Sequence, residues 1–389
     1  MKDIILLAGH NDPRTKLFQA ALSKARLSPA TVISYCELAE SFEHLQSCAS
    51  GSQALLRIES SGSDLQALQV ILEIGADVLQ NESSHYFWSK QQIGEAIAQR
   101  GRLVPSHQYY AGLSQLLASI ELQAAKALPA LSYMNPVKDS LLMSDKAACH
   151  AYLKANNIPV ADALTSPQSP IQNYEELRTR MQAQGMTRVF VKLRHGAGAA
   201  GIVALETSSS RVQARTTVEC VDTAEGLVLY NSLKIRRTTN EAAIRALIDE
   251  VCQMQVHVER WIPKAQINGS SVDLRILVID GEVCHQVLRM SRSPITNLHL
   301  LNQRSAVDPL KQKMTEEAWH SLNATCLKVA SLFPECNYVA LDVLVDISLK
   351  SHVVLEVNAF GDFVKGVLHK GMNPYECEIQ ALQAQWSAG

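Results

Sequence analysis

Apolar residues alternate most strictly near the C-terminal end of the chain, over residues 338–345 and again over 353–358. Successive side chains on a strand point to opposite faces, so the pattern predicts two strands, and the polar run 346–351 between them predicts a hairpin turn. With residue 342 opposite 356, Val339, Leu341, Val343, Val345, Val353, Leu355 and Val357 share a core face. Asp342, Glu356 and Asn358 share the other.

Upstream, short aliphatic runs at 4–7, 31–34 and 54–59 alternate with stretches of helical period at 13–25 and 65–74. Strand, helix, strand in that order predicts parallel pairing in an open sheet. Asp12 and Pro13 mark a helix start, and the helical period of 113–127 predicts a packed helix. The loop 60–64 fits an anion cradle at a helix N-terminus and equally a capped turn.

A boundary is expected near Asn135-Pro136, and Asp145-Lys146 opens a helix that ends by Asn156. The strand 189–193 runs into a loop of small residues, 194–201, and out into the strand 202–206. A loop that feeds a strand is a flap on a hairpin, not the P-loop GxxxxGK[ST], which feeds a helix. Strands follow over 211–239, then a helix over 241–255, a strand over 256–262 and a hairpin over 271–283 turning at Asp280-Gly281.

Two carboxylates on neighbouring strands repel unless a cation lies between them. An amide oxygen beside them suits a hard octahedral ion such as Mg²⁺, which shares its remaining positions with water and phosphate. In the flap, small side chains leave backbone N–H groups open to phosphate oxygens, with the point charge of Lys192 beneath them.

Taken in order, Lys146, Lys192 with its flap, Glu259, Asp273-x-Arg275, Arg289 and Arg292, Asn302, Asp342 and Glu356-x-Asn358 resemble the ATP-grasp superfamily, in its RimK-like carboxylate–amine ligase branch. The resemblance covers roughly residues 135–362. It implies an α/β and α+β architecture, the ATP-grasp fold, in which two α+β subdomains clamp ATP behind an N-terminal open-sheet α/β domain. The divisions expected are 1–130, 131–255 with the flap, and 256–389 with the acidic hairpin.

The resemblance further implies ATP and Mg²⁺, with Mn²⁺ as a substitute, and metal ligation by Asp342, Glu356 and Asn358. Lys146, Lys192, His195, Gly196, Gly198 and Gly201 would meet the phosphates, and the backbone around Glu259 and Trp261 would meet adenine. Asn302, or Asn297 as its alternative, would complete the phosphate end, with Arg275, Arg289 and Arg292 as catalytic groups. Family flaps often carry Ser or Gly where this chain has Ala197, Ala199 and Ala200, which removes side-chain contacts and leaves the backbone ones. The expected reaction is activation of a carboxylate as an acyl phosphate and its capture by an amine; a kinase and a non-catalytic ATP-binding regulator are the alternatives.

Composition narrows the partners. With 389 residues, 47% of them hydrophobic, the chain can bury a large core, and its formal charge of −2 provides no basic footprint for nucleic acid. No apolar run approaches the length of about 18 residues that suggests a membrane span. Nine cysteines in no C-x-x-C spacing fit reduced thiols in a cytoplasm. The expected partners are small-molecule or peptide carboxylate and amine substrates, and a second copy of the chain, since many relatives are dimers.

Overall fold

The computed structural model describes all residues except 1–2, 10, 50–52, 63, 81–86, 210, 225, 360–363 and 389. His10 and Ser63, expected in loops, lie outside the described residues, as do 360–362 beyond the acidic hairpin. Four parallel strands, β1 (Asp3–Leu7), β2 (Thr31–Ile33), β3 (Ala54–Ile58) and β4 (Leu131–Tyr133), form an N-terminal sheet in the order β2-β1-β3-β4. The helix Pro13–Lys24 starts where Asp12 accepts the Arg14 N–H, with Pro at the first position.

The helices Leu65–Leu79 and Ser106–Ala127 pack closely enough for their backbones to touch. A Cβ on Gly112 would lie 1.8 Å from the Ile71 carbonyl oxygen, and one on Gly75 would lie 2.1 Å from that of Gln108. The second helix begins before residue 113 because Ser106, His107 and Gln108 are buried polar residues, which break the apolar period while Gln108 bonds Leu72 O and Trp88 O.

Five antiparallel strands form a second sheet in the order β8-β7-β6-β5-β9: β5 (Arg188–Leu193), β6 (Val203–Thr207), β7 (Val212–Thr223), β8 (Gly226–Thr238) and β9 (Val256–Arg260). Val189, Val191, Val256 and Val258 pack on one face against the helices Tyr174–Ala183 and Glu241–Gln253. The expected division at 255/256 falls inside this sheet, because β9 pairs with β5 from Val189↔Arg260 to Leu193↔Val256.

The third sheet is antiparallel in the order β13-β12-β11-β14-β15, with β10 beside β11. Its strands are β10 (Gln266–Ile267), β11 (Ser270–Ile279), β12 (Glu282–Ser291), β13 (Gln303–Ser305), β14 (Tyr338–Val345) and β15 (His352–Asn358). One face holds the core with the helix Glu316–Ser331, through Trp319, Leu322, Cys326 and Val329. The helices Val137–Ser144 and Lys146–Ala155 join this same core through Met143, Cys149 and Leu153, although they precede the second sheet in the chain. On the other face, Leu277, Ile279, Tyr338 and Ala340 meet Leu6, Leu55 and the helix Pro374–Ala388.

Asp342 pairs with Glu356 across β14 and β15, as the alternation predicts. The next pair is Val343↔Val354, so a bulge inserts Leu355 and reverses the sides of the residues before it. Val354 takes the core position expected for Val353 and Leu355, and Leu355 turns to the opposite face.

Candidate active site

A cleft opens between the second and third sheets. From the second sheet come Phe190, Lys192 and Glu259, which alternation sets on the face opposite the Val189 and Val191 core, and the flap backbone at residues 196–200. From the third come Asp273, Arg289, Asp342, Leu344 and Glu356. Lys146 enters from the first turn of its own helix.

That helix is fixed to the flap by one acid. Asp145 caps the helix through the Ala147 and Ala148 N–H groups, and takes the Arg194 guanidinium in a fork at 2.7 and 2.5 Å. Burial opposes its charge, yet His195, Arg194 and the Ala148 N–H hold the Asp145 carboxyl well below the usual carboxylate range. The Lys146 N–H donates to Arg194 O at 3.0 Å, and Lys146 Nζ bonds the Gly196 carbonyl. The lysine thus stands at the flap root, 2.8 Å from Glu356.

Across the cleft Lys192 pairs with Glu259, whose carboxyl is pushed up by burial but held down at about 2 by Lys192 and His257. On the third sheet Arg289 Nε bonds Asp273 at 2.7 Å and its Nη1 bonds Asp342 at 2.8 Å; Arg275 Nε lies 2.6 Å from the other Asp342 oxygen. Asp342 Oδ1 accepts no hydrogen bond among the described residues and is met there by the Arg275 ion pair. Two adjacent carboxylates, Asp342 and Glu356, met by cationic side chains supply the oxygen ligands a hard divalent cation takes, so the residues fit Mg²⁺. Asn358 shares this face through its pairing with Ala340, and its amide nitrogen reaches Ala340 O at 3.4 Å.

The structure brings together Lys146, Lys192, Gly196, Gly198, Glu259, Arg275, Arg289, Asp342 and Glu356. Asn358 shares the face of Glu356, and the remaining expected residues lie elsewhere. His195 turns away from the cleft, stacks on Tyr110 at 4.1 Å between ring centroids and stays 3.6 Å from Asp145; burial lowers its pKa. Gly201, at φ +69°, packs against Leu193, where a Cβ would meet Cγ at 2.6 Å.

Trp261 lies tilted against Phe190, 5.4 Å between ring centroids, and gives its backbone N–H to Arg188 O, while Arg260 and Ile262 on either side line the cleft. Arg292 is exposed, with no ion pair among the described residues. Asn302 braces the loop from within, bonding Ile295 O at 3.0 Å and Asn297 O at 2.9 Å, and it is Asn297 that lines the cleft.

Lys264 was not expected at the site. Lys264 is buried, bonds Asp273 at 2.8 Å and Thr296 at 2.6 Å, and loses basicity to burial. A lysine after Pro263 carries no periodic signal, and only tertiary pairing with the Asp273 of Asp-x-Arg marks it.

No family model matches the chain, and no curated protein matches it. Solved structures are similar over nearly its whole length. The ATP-grasp ligase PsnB, in complex with precursor peptide PsnA2 and AMPPNP, has a TM-score of 0.52 at 14% identity, over 99% of this chain and 98% of that one. The macrocyclase MdnC bound with precursor peptide MdnA, from Microcystis aeruginosa MRC, gives 0.50 at 12%, over 99% and 100%. The D-cycloserine synthetase DcsG gives 0.55 at 12%, over 98% and 99%. Two sheets facing one cleft, an acidic hairpin on one and a small-residue flap on the other, in a chain that superposes end to end on such enzymes, establish that this protein has the ATP-grasp fold.

Proposed function

We propose that the chain is an ATP-dependent ligase that activates a carboxylate as an acyl phosphate and couples it to an amine. The observation that carries this is the cross-strand pair Asp342 and Glu356, facing Lys146, Lys192 and the flap backbone across one cleft. Asp342, Glu356 and Asn358 would hold Mg²⁺, or Mn²⁺ in its place, which supplies positive charge to the β- and γ-phosphates. The flap N–H groups and Lys192 bind phosphate oxygens from the second sheet, and Lys146 exchanges Glu356 for phosphate. Ile262, which lines the cleft, and the backbone beside it would meet the base.

Arg289, already oriented by Asp273, and Arg275 stabilise charge on the transferred phosphoryl group. A substrate carboxylate oxygen attacks the γ-phosphorus and ADP leaves; an amine nitrogen then attacks the acyl carbon, and phosphate leaves with the carboxylate oxygen. No side-chain nucleophile is required. The substrate end is the edge lined by Lys264, Thr296 and Asn297. Precursor peptides in the PsnB and MdnC complexes support a peptide substrate, and DcsG supports an amino acid-sized one. Nine free thiols accord with a cytoplasmic enzyme; among the described residues no helix is long and apolar enough to cross a membrane.

The test is ADP release against a panel of amino acids and peptides, with ¹⁸O in the candidate carboxylate. A ligase requires both acid and amine and transfers one ¹⁸O into phosphate. A stable phosphorylated product without an amine identifies a kinase, and MgATP protection against unfolding with no ADP under any substrate identifies a regulator.

A further inference from the structure

A cluster of different chemistry lies at the other end of the third sheet, beside the Asp280-Gly281 turn that joins β11 to β12. Glu282 pairs with Ile279, and the ladder then runs Val278↔Val283 and Leu277↔His285, so Cys284 is the extra residue of a β-bulge. Bulges re-aim side chains. Here Val283 packs into the core on one face, and Cys284 joins the core on the other. There Cys284 faces the turn His369–Met372, closed by paired backbone hydrogen bonds of 2.9 Å, just before the helix Pro374–Ala388.

A carboxylate oxygen of Glu282, Cys284 Sγ and a ring nitrogen of His369 all lie within 4.8 Å of one another. His369 Nε2 is 3.2 Å from Glu282 Oε1. Ligand atoms around a tetrahedral zinc ion stand roughly 3.5 Å apart, given bonds of about 2.0–2.3 Å. Rotation of the exposed Glu282 and the partly buried His369 side chains would close that difference. We propose that Glu282, Cys284 and His369 form a binding site for a divalent transition-metal ion of the zinc class, with water in the fourth position.

The donor set decides the class. A thiolate and an imidazole disfavour Mg²⁺ and Ca²⁺ and suit zinc or cobalt, which also accept one carboxylate. His285 adds polar capacity: it is fully buried, its ring centroid lies 5.8 Å from that of His369, and its Nδ1 has no partner. The metal displaces a proton from the Cys284 thiol on binding, one S–H bond giving way to one metal–sulfur bond. Lys370 Nζ lies 2.6 Å from the same Glu282 oxygen, so an exposed ammonium competes for the carboxylate and swings out when the metal enters.

The site ties the β11–β12 turn to the segment entering Pro374–Ala388, the helix whose Glu378 pairs with Arg57 of β3. None of the three ligands lines the cleft. The metal is a brace between parts of the fold, separate from any ion at Asp342.

Full-length protein freed of metal by a chelator is titrated with Zn²⁺ by calorimetry and with Co²⁺ by absorbance. One Zn²⁺ should bind, and Co²⁺ should produce a thiolate-to-cobalt charge-transfer band in the near ultraviolet that excess Mg²⁺ does not remove. Cys284→Ser and His369→Gln should abolish the band, Glu282→Gln should weaken binding at least tenfold, and Lys370→Ala should tighten it. Unchanged binding of a nonhydrolysable ATP analogue verifies that each variant is folded. Absence of the band in the wild type, its survival in folded Cys284→Ser, or weaker binding in Lys370→Ala overturns the proposal and leaves the ligase reading untouched.

Discussion

Arg289 and Asp342 form a buried pair at 2.8 Å, Nη1 to Oδ2, and the same guanidinium is held from β11 by Asp273. An acid suited to a divalent cation is thus already neutralised by arginines suited to phosphate. A nucleotide with its metal would exchange these partners, satisfying each group by the opposite charge it meets in the bound state. Little desolvation then remains to be met when the ligand arrives, because the groups are already organised in a buried site.

Asp342→Asn keeps the shape of the side chain and removes its charge. Turnover should fall by about 10²–10³-fold, while urea unfolding should report a loss of about 1–3 kcal/mol for the hydrogen bonds weakened around Arg289. ADP release at the wild-type rate would remove Asp342 from the reaction.

Lys192 and Glu259 form a second internal pair, with side chains 15% and 5% exposed. Lys192→Met leaves Glu259 buried without its lysine partner, so the expected cost is about 3–5 kcal/mol, with ATP affinity reduced at least tenfold. Adding Glu259→Gln should recover most of the stability and none of the affinity. Recovery of both would assign Lys192 a purely structural role.

The acidic hairpin was legible because apolar alternation on both strands, a polar turn and the Asp342↔Glu356 pairing all agree. The bulge at Leu355 was not, since an inserted aliphatic residue among aliphatic residues leaves the composition of both faces unchanged. Asn297 and Asn302 were indistinguishable along the chain; the Asn302 amide turns inward onto the carbonyls of Ile295 and Asn297, while Asn297 lines the cleft, and this separates them. His195 shows the same limit. It belongs to the flap in sequence, yet Tyr110, from the helix Ser106–Ala127, provides a stacking surface that draws it out of the cleft. Lys264 and Thr296 converge on Asp273 from different segments, a contact that no spacing encodes.

Glu378 makes stability depend on pH. Burial, together with Glu59, raises its folded pKa from 4.5 to about 7 against the pull of Arg57. The folded chain therefore holds this proton where the unfolded chain has released it. Its contribution is fully present below about 4.5 and is lost as pH rises toward about 7, on the order of 3 kcal/mol for a shift of this size. Glu378→Gln cannot ionise, so its stability relative to wild type should increase across that window. A difference between the two that stays constant from pH 4.5 to 7.5, measured by urea unfolding, would contradict this.

Gly112→Ala tests the crossing of Leu65–Leu79 with Ser106–Ala127. The new methyl would meet the Ile71 carbonyl at 1.8 Å, and backbone cannot rotate away as a side chain can. The helices must separate, at a cost of about 3 kcal/mol or more. Gly94, whose Cβ would meet nothing within 4 Å, is the control, and Gly94→Ala should leave the melting temperature unchanged or slightly raised.

Calorimetric titration with a nonhydrolysable ATP analogue, with and without Mg²⁺, addresses the cleft most directly. The wild-type chain should bind one equivalent tightly only when Mg²⁺ is present, and the folded double variant Asp342→Asn, Glu356→Gln should bind weakly and equally with or without the metal. Absence of binding by the wild type, or an unchanged Mg²⁺ requirement in the double variant, would contradict a nucleotide and metal site at these two carboxylates.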